Sequence, residues 1–266
     1  MKSAISITSS SNPKIKELGA LKEKSRARKK SGLFVIEGQR ELQISLDANY
    51  IIEQLFFNPS IIDTDTLSKF ITDDSIQRYE VTDDVYAKIA YRSSTEGIVA
   101  VCKSKNHELS SFHLTTKKPL ILVAEAPEQP GNIGALIRTA DAAGIDAVLI
   151  VNPKTDLYNP NTIRASLGCL FSVPIYTASS EEAIVFLQEQ GISIYAATLQ
   201  DSSNYTDVDF NGATAIVVGT EATGLEECWR EASTKNILIP MRGSIDSMNV
   251  SVAASILIFE AVRQRN

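Results

Sequence analysis

Along this chain short runs of apolar residues alternate with longer stretches in which apolar side chains recur every three to four positions. That alternation is the signature of strands interleaved with helices. In the first hundred residues it predicts a basic helix over 13–29, a strand over 33–37, a helix over 40–48 and a strand over 51–57. A helix near Thr66, a strand over 76–81, a helix over 83–90 and a strand over 97–102 follow. From residue 120 the strands become nearly pure Val, Ile, Leu and Ala, over 120–124, 147–151, 193–198, 213–218 and 236–239, with 171–175 also extended. Helices are expected between them over 133–143, 160–167, 180–190 and 226–232, and a last one over 250–262. Strands with no polar face are buried on both sides, so the second half reads as an α/β fold with a mostly parallel sheet covered by helices. The first half reads as a small α/β sandwich. Residues 103–118, rich in Ser, Thr, Lys and His, form a linker, which sets domains at 1–102 and 119–266.

Composition narrows the class. A chain of 266 residues with 44% hydrophobic and 22% charged side chains is that of a globular protein. Its longest apolar stretch, in the last helix, is interrupted by Glu260, so no membrane span is expected, and Met1-Lys2-Ser3 has no apolar run behind it. A cytoplasmic protein is the expectation. Cys102, Cys169 and Cys228 stand far apart without a Cys-x-x-Cys pair, and His107 and His113 are the only histidines. Neither a metal site nor a disulfide framework is expected, and a histidine base is not. The net charge of −6 hides an asymmetry: residues 1–40 hold ten Lys/Arg against three acids, an excess of +7 that leaves −13 on the rest. A basic end on an acidic body suits a local polyanion contact, with a solvated helix face as the plainer explanation.

Three segments carry candidate chemistry. In the first, a strand ends at Glu125, and Pro127, Pro130 and Gly131 shape a loop before a helix. Asn132 sits where an N-cap belongs, and Arg138 lies about one and a half turns in, able to clamp a phosphate. In the second, a buried strand runs into Gly219-x-Glu221-x-x-Gly224, whose glycines free the backbone for close approach and whose Glu221 adds a carboxylate. It lacks the Gly-x-Gly-x-x-Gly of dinucleotide folds and the Gly-Lys-Ser/Thr of a Walker loop. In the third, Ile239-Pro240-Met241 leads through a polar loop to Ser247-Met248-Asn249-Val250-Ser251 and the last helix. A weaker segment, Arg164-Ala165-Ser166-Leu167-Gly168, lies between the first and second. Each of the three loops follows a strand of one sheet, and open α/β sheets bind ligands at that edge. The set offers amides, hydroxyls, one carboxylate and arginines, which suits holding a polar cofactor and placing a nucleophile better than it suits hydrolysis.

In order and spacing, Asn132-x-Gly134-x-x-x-Arg138, Gly219-x-Glu221-x-x-Gly224, and Ile239-Pro240-Met241 with Ser247-x-Asn249-Val250-Ser251 resemble the three motifs of the SpoU-type (TrmH-like) RNA 2′-O-ribose methyltransferases of the SPOUT class. The resemblance covers about residues 119–265. It implies a deep trefoil knot and S-adenosylmethionine bound against Thr198, Leu199, Gly219, Ile239 and Met241, with Met248 and Val250 nearby. It also implies that Arg138 engages the target ribose and its phosphate, supported by Asn132, Glu221, Ser247 and Asn249. The chain departs from the usual pattern at Met248, where leucine is common, and at Thr220, where asparagine is. Residues 1–102 look like the substrate-binding domain often fused ahead of such enzymes, itself similar to a small ribosomal protein. Structured RNA, ribosomal rather than transfer RNA, is then the expected partner. It would be held through Lys14, Lys16, Lys22, Arg26, Arg28, Lys29, Lys30, Arg40 and Arg164. The greasy last helix implies a homodimer. The alternatives are a non-catalytic RNA-binding or assembly protein that retains the fold, a base-directed methyltransferase of the same class, a transfer-RNA substrate, and a generic nucleotide-binding α/β enzyme.

Overall fold

The structure, a computed structural model, describes residues 4–70, 76–91, 96–220 and 223–266. The chain divides into two compact units. The first comprises Met1–Lys105 and Asp156–Ser172; the second comprises Asn106–Thr155 and Val173–Asn266. The contiguous division expected from the linker at 103–118 therefore differs in one respect, because residues 156–172 group with the first unit. Their aromatic side chains find Phe34 and Tyr50 there.

The N-terminal stretch of the first unit runs β1 (Ile5–Ile7), α1 (Pro13–Glu23), α2 (Ser25–Ser31), β2 (Leu33–Glu37), α3 (Gln39–Asp47), β3 (Ile52–Phe57), α4 (Thr64–Phe70), β4 (Gln77–Val81), α5 (Asp83–Ile89) and β5 (Ile98–Lys103). Its five strands are ordered β1-β4-β3-β5-β2, with β5 antiparallel to both neighbours. One sheet face packs on α1 and α5 through Leu18, Leu21, Val85 and Ile89. The basic helix expected over 13–29 is two helices, because Lys24 adopts an extended backbone (φ −115°, ψ 111°) between α1 and α2. The apolar stripe of α1 ends at Leu21. The break turns Arg28 inward, where its guanidinium donates to the carbonyls of Leu21 (2.6 Å) and Lys22 (3.1 Å), which the end of α1 leaves open.

The second unit begins with β6 (Leu120–Glu125), α6 (Pro130–Ala143) and β7 (Ala147–Val151). The chain then contributes α7 (Pro160–Ser166) and α8 (Cys169–Ser172) to the first unit, where Phe34 stacks on Tyr158 at 4.2 Å and Tyr50 meets Phe171 edge-on at 5.0 Å. The segment expected to be extended over 171–175 is thus the end of a short helix. Val173-Pro174 breaks it, and the strand begins at Ile175, four residues later than expected. The second unit continues with β8 (Ile175–Ala178), α9 (Ser180–Glu189), β9 (Ser193–Ala197), β10 (Ser203–Asn204), β11 (Thr214–Val218), α10 (Glu227–Ala232), β12 (Lys235–Leu238) and α11 (Val250–Arg265).

Its seven strands are ordered β10-β12-β9-β11-β6-β7-β8, and every pairing is parallel. Every residue of β6, β7 and β11 is buried, as a sheet covered on both faces requires. Ala183, Leu187 and Trp229 fill the α9 and α10 side, and α6 and α11 pack against each other on the other. At the carboxyl end of β6 the buried Glu125 carboxylate accepts the Ser180 hydroxyl (3.1 Å) and the Glu226 amide (2.9 Å). It thereby fixes the starts of α9 and α10, while burial pushes its pKa up.

Candidate functional site

The loops that leave β9, β11 and β12 lie side by side, since β9 stands between the other two strands and all three run the same way. With the start of α11 they enclose a cavity of about 430 Å³, within the range of pockets that hold small organic ligands. Thr198, Leu199, Gly219, Ile239, Met241, Met248 and Val250, the seven expected cofactor residues, all line it, as does Ser247. The wall at Gly219 is set by backbone. Thr220 and Gly224 exchange hydrogen bonds of 3.2 and 3.1 Å across the turn, and Gly224 takes the left-handed conformation (φ 69°). A Cβ at Gly219 would fall 2.4 Å from the Gly224 carbonyl carbon and 2.6 Å from the Leu225 nitrogen, so only glycine fits. Glu221 lies outside the described residues.

The other motif residues gather beside the cavity. Helix α6 starts at Pro130 with Gln129 as its N-cap, because proline is preorganised for the first helical position. Asn132 is therefore three residues into the helix, not its cap, and its side chain is directed elsewhere. Its Oδ1 accepts Asn249 Nδ2 at 3.0 Å across 117 residues of sequence. Asn249 is the N-cap of α11, its own Oδ1 accepting the Ser251 amide (3.0 Å) and hydroxyl (2.6 Å). One turn on, the hydroxyls of Ser255 and Thr139 meet at 2.8 Å, which locks α11 to α6. Arg138, next to Thr139, is exposed and is not among the residues lining the cavity.

The sequence reasoning missed several lining residues, among them Gln200, Thr223, Arg230, Asp246 and Leu257. Arg230 stands in α10, six residues past the Gly219–Gly224 turn, and no motif spacing marks it. The chemistry of the cavity is mixed: hydroxyls of Thr198 and Ser247, backbone of the three loops, apolar Leu199, Met241 and Met248, and the charged Arg230 and Asp246. A ligand with a flat apolar part, hydroxyls and charged ends suits such a wall. S-adenosylmethionine has that make-up, and the residues present fit it.

The basic residues expected to hold RNA differ in their surroundings. Lys16, Arg26, Lys29, Lys30 and Arg40 are exposed. Lys14 pairs with Glu17 at 2.8 Å, and Lys22 is half-buried with its ammonium on the Ile89 carbonyl. Arg164 stacks on the Tyr91 ring at 4.0 Å and donates to Asn161 at 3.0 Å. Arg28 corrects the expectation that it faces RNA, because it is buried and ion-paired with Asp156 at 2.6 Å. Among the described residues no group of three or more His, Cys, Asp or Glu is placed to hold a metal ion, and no helix is long and apolar enough to cross a membrane.

Comparison with known proteins agrees with this geometry. Residues 119–259 match the SpoU rRNA Methylase family, and residues 12–100 match an MRM3-like substrate binding domain. The chain is 29% identical over 253 residues to the 23S rRNA (guanosine(2553)-2′-O)-methyltransferase RlmP of Bacillus subtilis, covering 95% of this chain and 97% of that one. Among solved structures, an RNA 2′-O ribose methyltransferase is 36% identical with a TM-score of 0.84, covering 98% of this chain and 99% of its own. An AdoMet-bound rRNA methyltransferase from Sinorhizobium meliloti is 28% identical with a TM-score of 0.89, covering 98% of each. The cavity at the three strand ends, the paired asparagines beside it and these likenesses converge: the chain belongs to the SpoU rRNA methylase family of S-adenosylmethionine-dependent RNA 2′-O-ribose methyltransferases.

Proposed function

We propose that this enzyme methylates a ribose 2′-hydroxyl in ribosomal RNA, with the first unit holding the RNA and Arg138, Asn132, Glu221, Ser247 and Asn249 acting beside the cofactor cavity. The observation that carries the reading is the 3.0 Å hydrogen bond from Asn249 to Asn132. It ties the segment lining the cavity to the helix that bears Arg138, so the cofactor wall and the exposed guanidinium are held as one body. When bound, S-adenosylmethionine supplies a methyl group on a positively charged sulfur. The chain's part is to hold the acceptor in line, and positioning of this kind supplies a large share of such accelerations. A guanidinium is a donor only, so Arg138 contributes by gripping the ribose and its phosphate rather than by taking the proton. Asn249 fixes the direction of α11, and Ser247 presents a hydroxyl to the cavity.

Ribosomal RNA is favoured because two relatives that span nearly the whole chain are named for 23S rRNA. The exposed Lys16, Arg26, Lys29, Lys30 and Arg40 would supply salt-sensitive phosphate contacts, with Arg164 beside Tyr91 as a further contact. A cytoplasmic enzyme follows from that substrate. The trefoil knot belongs to the same reading: the chain passes outward to β12 and back to α11, which packs on β11, β6 and α6. So does a homodimer through α11, whose Val252 and Phe259 lie seven residues apart on one face and are 49% and 47% exposed. The test is Arg138→Ala with labelled methyl transfer to ribosomal RNA and mapping of the product nucleotide. Transfer is expected to be lost while S-adenosylhomocysteine still binds by calorimetry; retained transfer refutes the assignment.

A further inference from the structure

Of the residues that line the cofactor cavity, Arg230 alone carries a positive charge. Its Nε is buried without a hydrogen-bond partner, and among the described residues its guanidinium enters no ion pair. A buried donor left open costs free energy comparable to a lost hydrogen bond, so an arginine so placed is one whose partner arrives with the ligand. The helix that carries it is firmly set. Trp229, the neighbouring residue on α10, is fully buried and donates its indole N–H to Ser180 at 3.0 Å. Ser180 in turn donates to Glu125, whose other oxygen accepts the amide of Glu226 at the start of α10. Arg230 therefore projects from a segment tied down on its far side, so the root of its side chain is fixed before any ligand binds.

The cofactor has one anionic group, the carboxylate of its methionyl part. We propose that Arg230 is the residue that receives this carboxylate, so that a residue outside all three motifs sets where the amino-acid end of the cofactor lies. Asp246, the lining carboxylate, is of the wrong sign for that end and of the right sign for the ammonium or the ribose hydroxyls. Arginine suits the role because its planar fork matches a carboxylate with two parallel hydrogen bonds. Fixing that end would also fix the direction in which the methyl group is presented.

The inference rests on the identification of the cofactor cavity, and the experiment separates the two. S-adenosylhomocysteine and its decarboxylated analogue, which keeps the amine and loses only the carboxylate, are titrated calorimetrically into the wild-type protein, Arg230→Met and Arg230→Lys. Methionine retains the apolar stem without the charge. Arg230→Met is expected to bind S-adenosylhomocysteine about 10- to 100-fold more weakly, the scale of one lost charge-assisted contact. The decarboxylated analogue should bind the wild type and Arg230→Met alike, and Arg230→Lys should fall between for the intact ligand. The emission of Trp229, the single tryptophan, reports whether α10 is undisturbed. Equal losses for both ligands would mean that Arg230 only shapes the cavity. An unchanged affinity for S-adenosylhomocysteine with weakened RNA binding would mean that the guanidinium takes an RNA phosphate. Either result overturns the assignment. Failure of the wild type to bind S-adenosylhomocysteine would instead overturn the cavity itself.

Discussion

Replacing Gly219 by alanine isolates the part of the cofactor wall that is made of backbone alone. The added Cβ would sit 2.4 Å from the carbonyl carbon and oxygen of Gly224 and 2.6 Å from the nitrogen of Leu225, where comfortable carbon contacts are about 3.5–4.0 Å. All three atoms are main chain, so no side chain can rotate out of the way and the turn itself must open. Opening breaks the reciprocal Thr220–Gly224 pair, about 1 kcal/mol for each bond, and adds overpacking strain of about 1–3 kcal/mol. The total, about 3–5 kcal/mol, divides between folding stability and cofactor affinity. If it falls wholly on binding it weakens S-adenosylhomocysteine by about 100-fold or more, at about 1.4 kcal/mol per tenfold. Calorimetric titration beside a thermal melt reads both shares. Gly212→Ala is the control: that Cβ meets nothing within 4 Å, and the substitution should leave binding unchanged. A Gly219→Ala protein with wild-type melting temperature and wild-type affinity would refute the argument that this wall depends on close backbone approach.

Three further expectations follow from the geometry. Asn132→Ala removes the bond to Asn249, about 0.5–1 kcal/mol at an exposed site, whereas Asn249→Ala also removes the α11 cap, about 1 kcal/mol more. Thermal melts of a double-mutant cycle should show coupling between the two, and strictly additive losses would mean that the pair does not interact. Arg28→Ala leaves Asp156 buried without its partner and should cost about 3–5 kcal/mol of stability. Lys29→Ala, by contrast, should leave the melt unchanged and lower the slope of RNA affinity against salt by roughly 0.7–0.9; the reverse outcome would restore Arg28 to the RNA surface. Hydrogen bonds from Arg263 and Gln264 hold the Glu260 carboxyl down to about 2. A carboxylate whose pKa is lower in the folded state stabilises above its unfolded value and loses that contribution as pH falls through the folded one. The stability gap between wild type and Glu260→Gln should therefore shrink between about pH 4.5 and 2, and a gap that does not narrow on acidification would contradict the contact.

The cavity was legible in the sequence because each of its loops is announced by an apolar strand that ends abruptly in glycine, proline or polar residues, a pattern local to ten or fifteen positions. The same locality explains what was missed. Arg28 sits in a run of basic side chains, and nothing in Ser25-Arg26-Ala27-Arg28-Lys29-Lys30 marks the one that turns inward. Its burial follows from the break at Lys24 and from Asp156, 128 residues away. Asn132 looked like a cap because capping propensity is a property of residue type, whereas the helix start was decided by Pro130. Strands β1 and β10, three and two residues long, carry too few apolar positions for an alternation to register. The departure of residues 156–172 to the first unit rests on Tyr158 and Phe171 finding Phe34 and Tyr50, a partnership that no periodicity along the chain contains.

The placement of α11 shows why the motif at 247–251 needs the whole helix behind it. At its start Asn249 caps the helix, Val250 lines the cavity and Ser255 bonds Thr139. At its end, some 24 Å on for a helix of this length, Arg265 donates to the carbonyls of Phe210 (2.9 Å), Lys118 (2.8 Å) and Gly212 (2.6 Å). Those carbonyls belong to the loops that enter β6 and β11, so Arg265 holds the amino edge of the sheet while Asn249 and Val250 stand at the carboxyl edge. The helix thus runs the depth of the second unit as a strut, and its buried Ala254, Leu257, Ile258 and Ala261 fix its rotation. A cofactor wall composed of loops would be the softest part of an ordinary α/β sheet. Here one wall is the first turn of a helix anchored at both ends, and rigidity at the site comes from contacts made far from the chemistry.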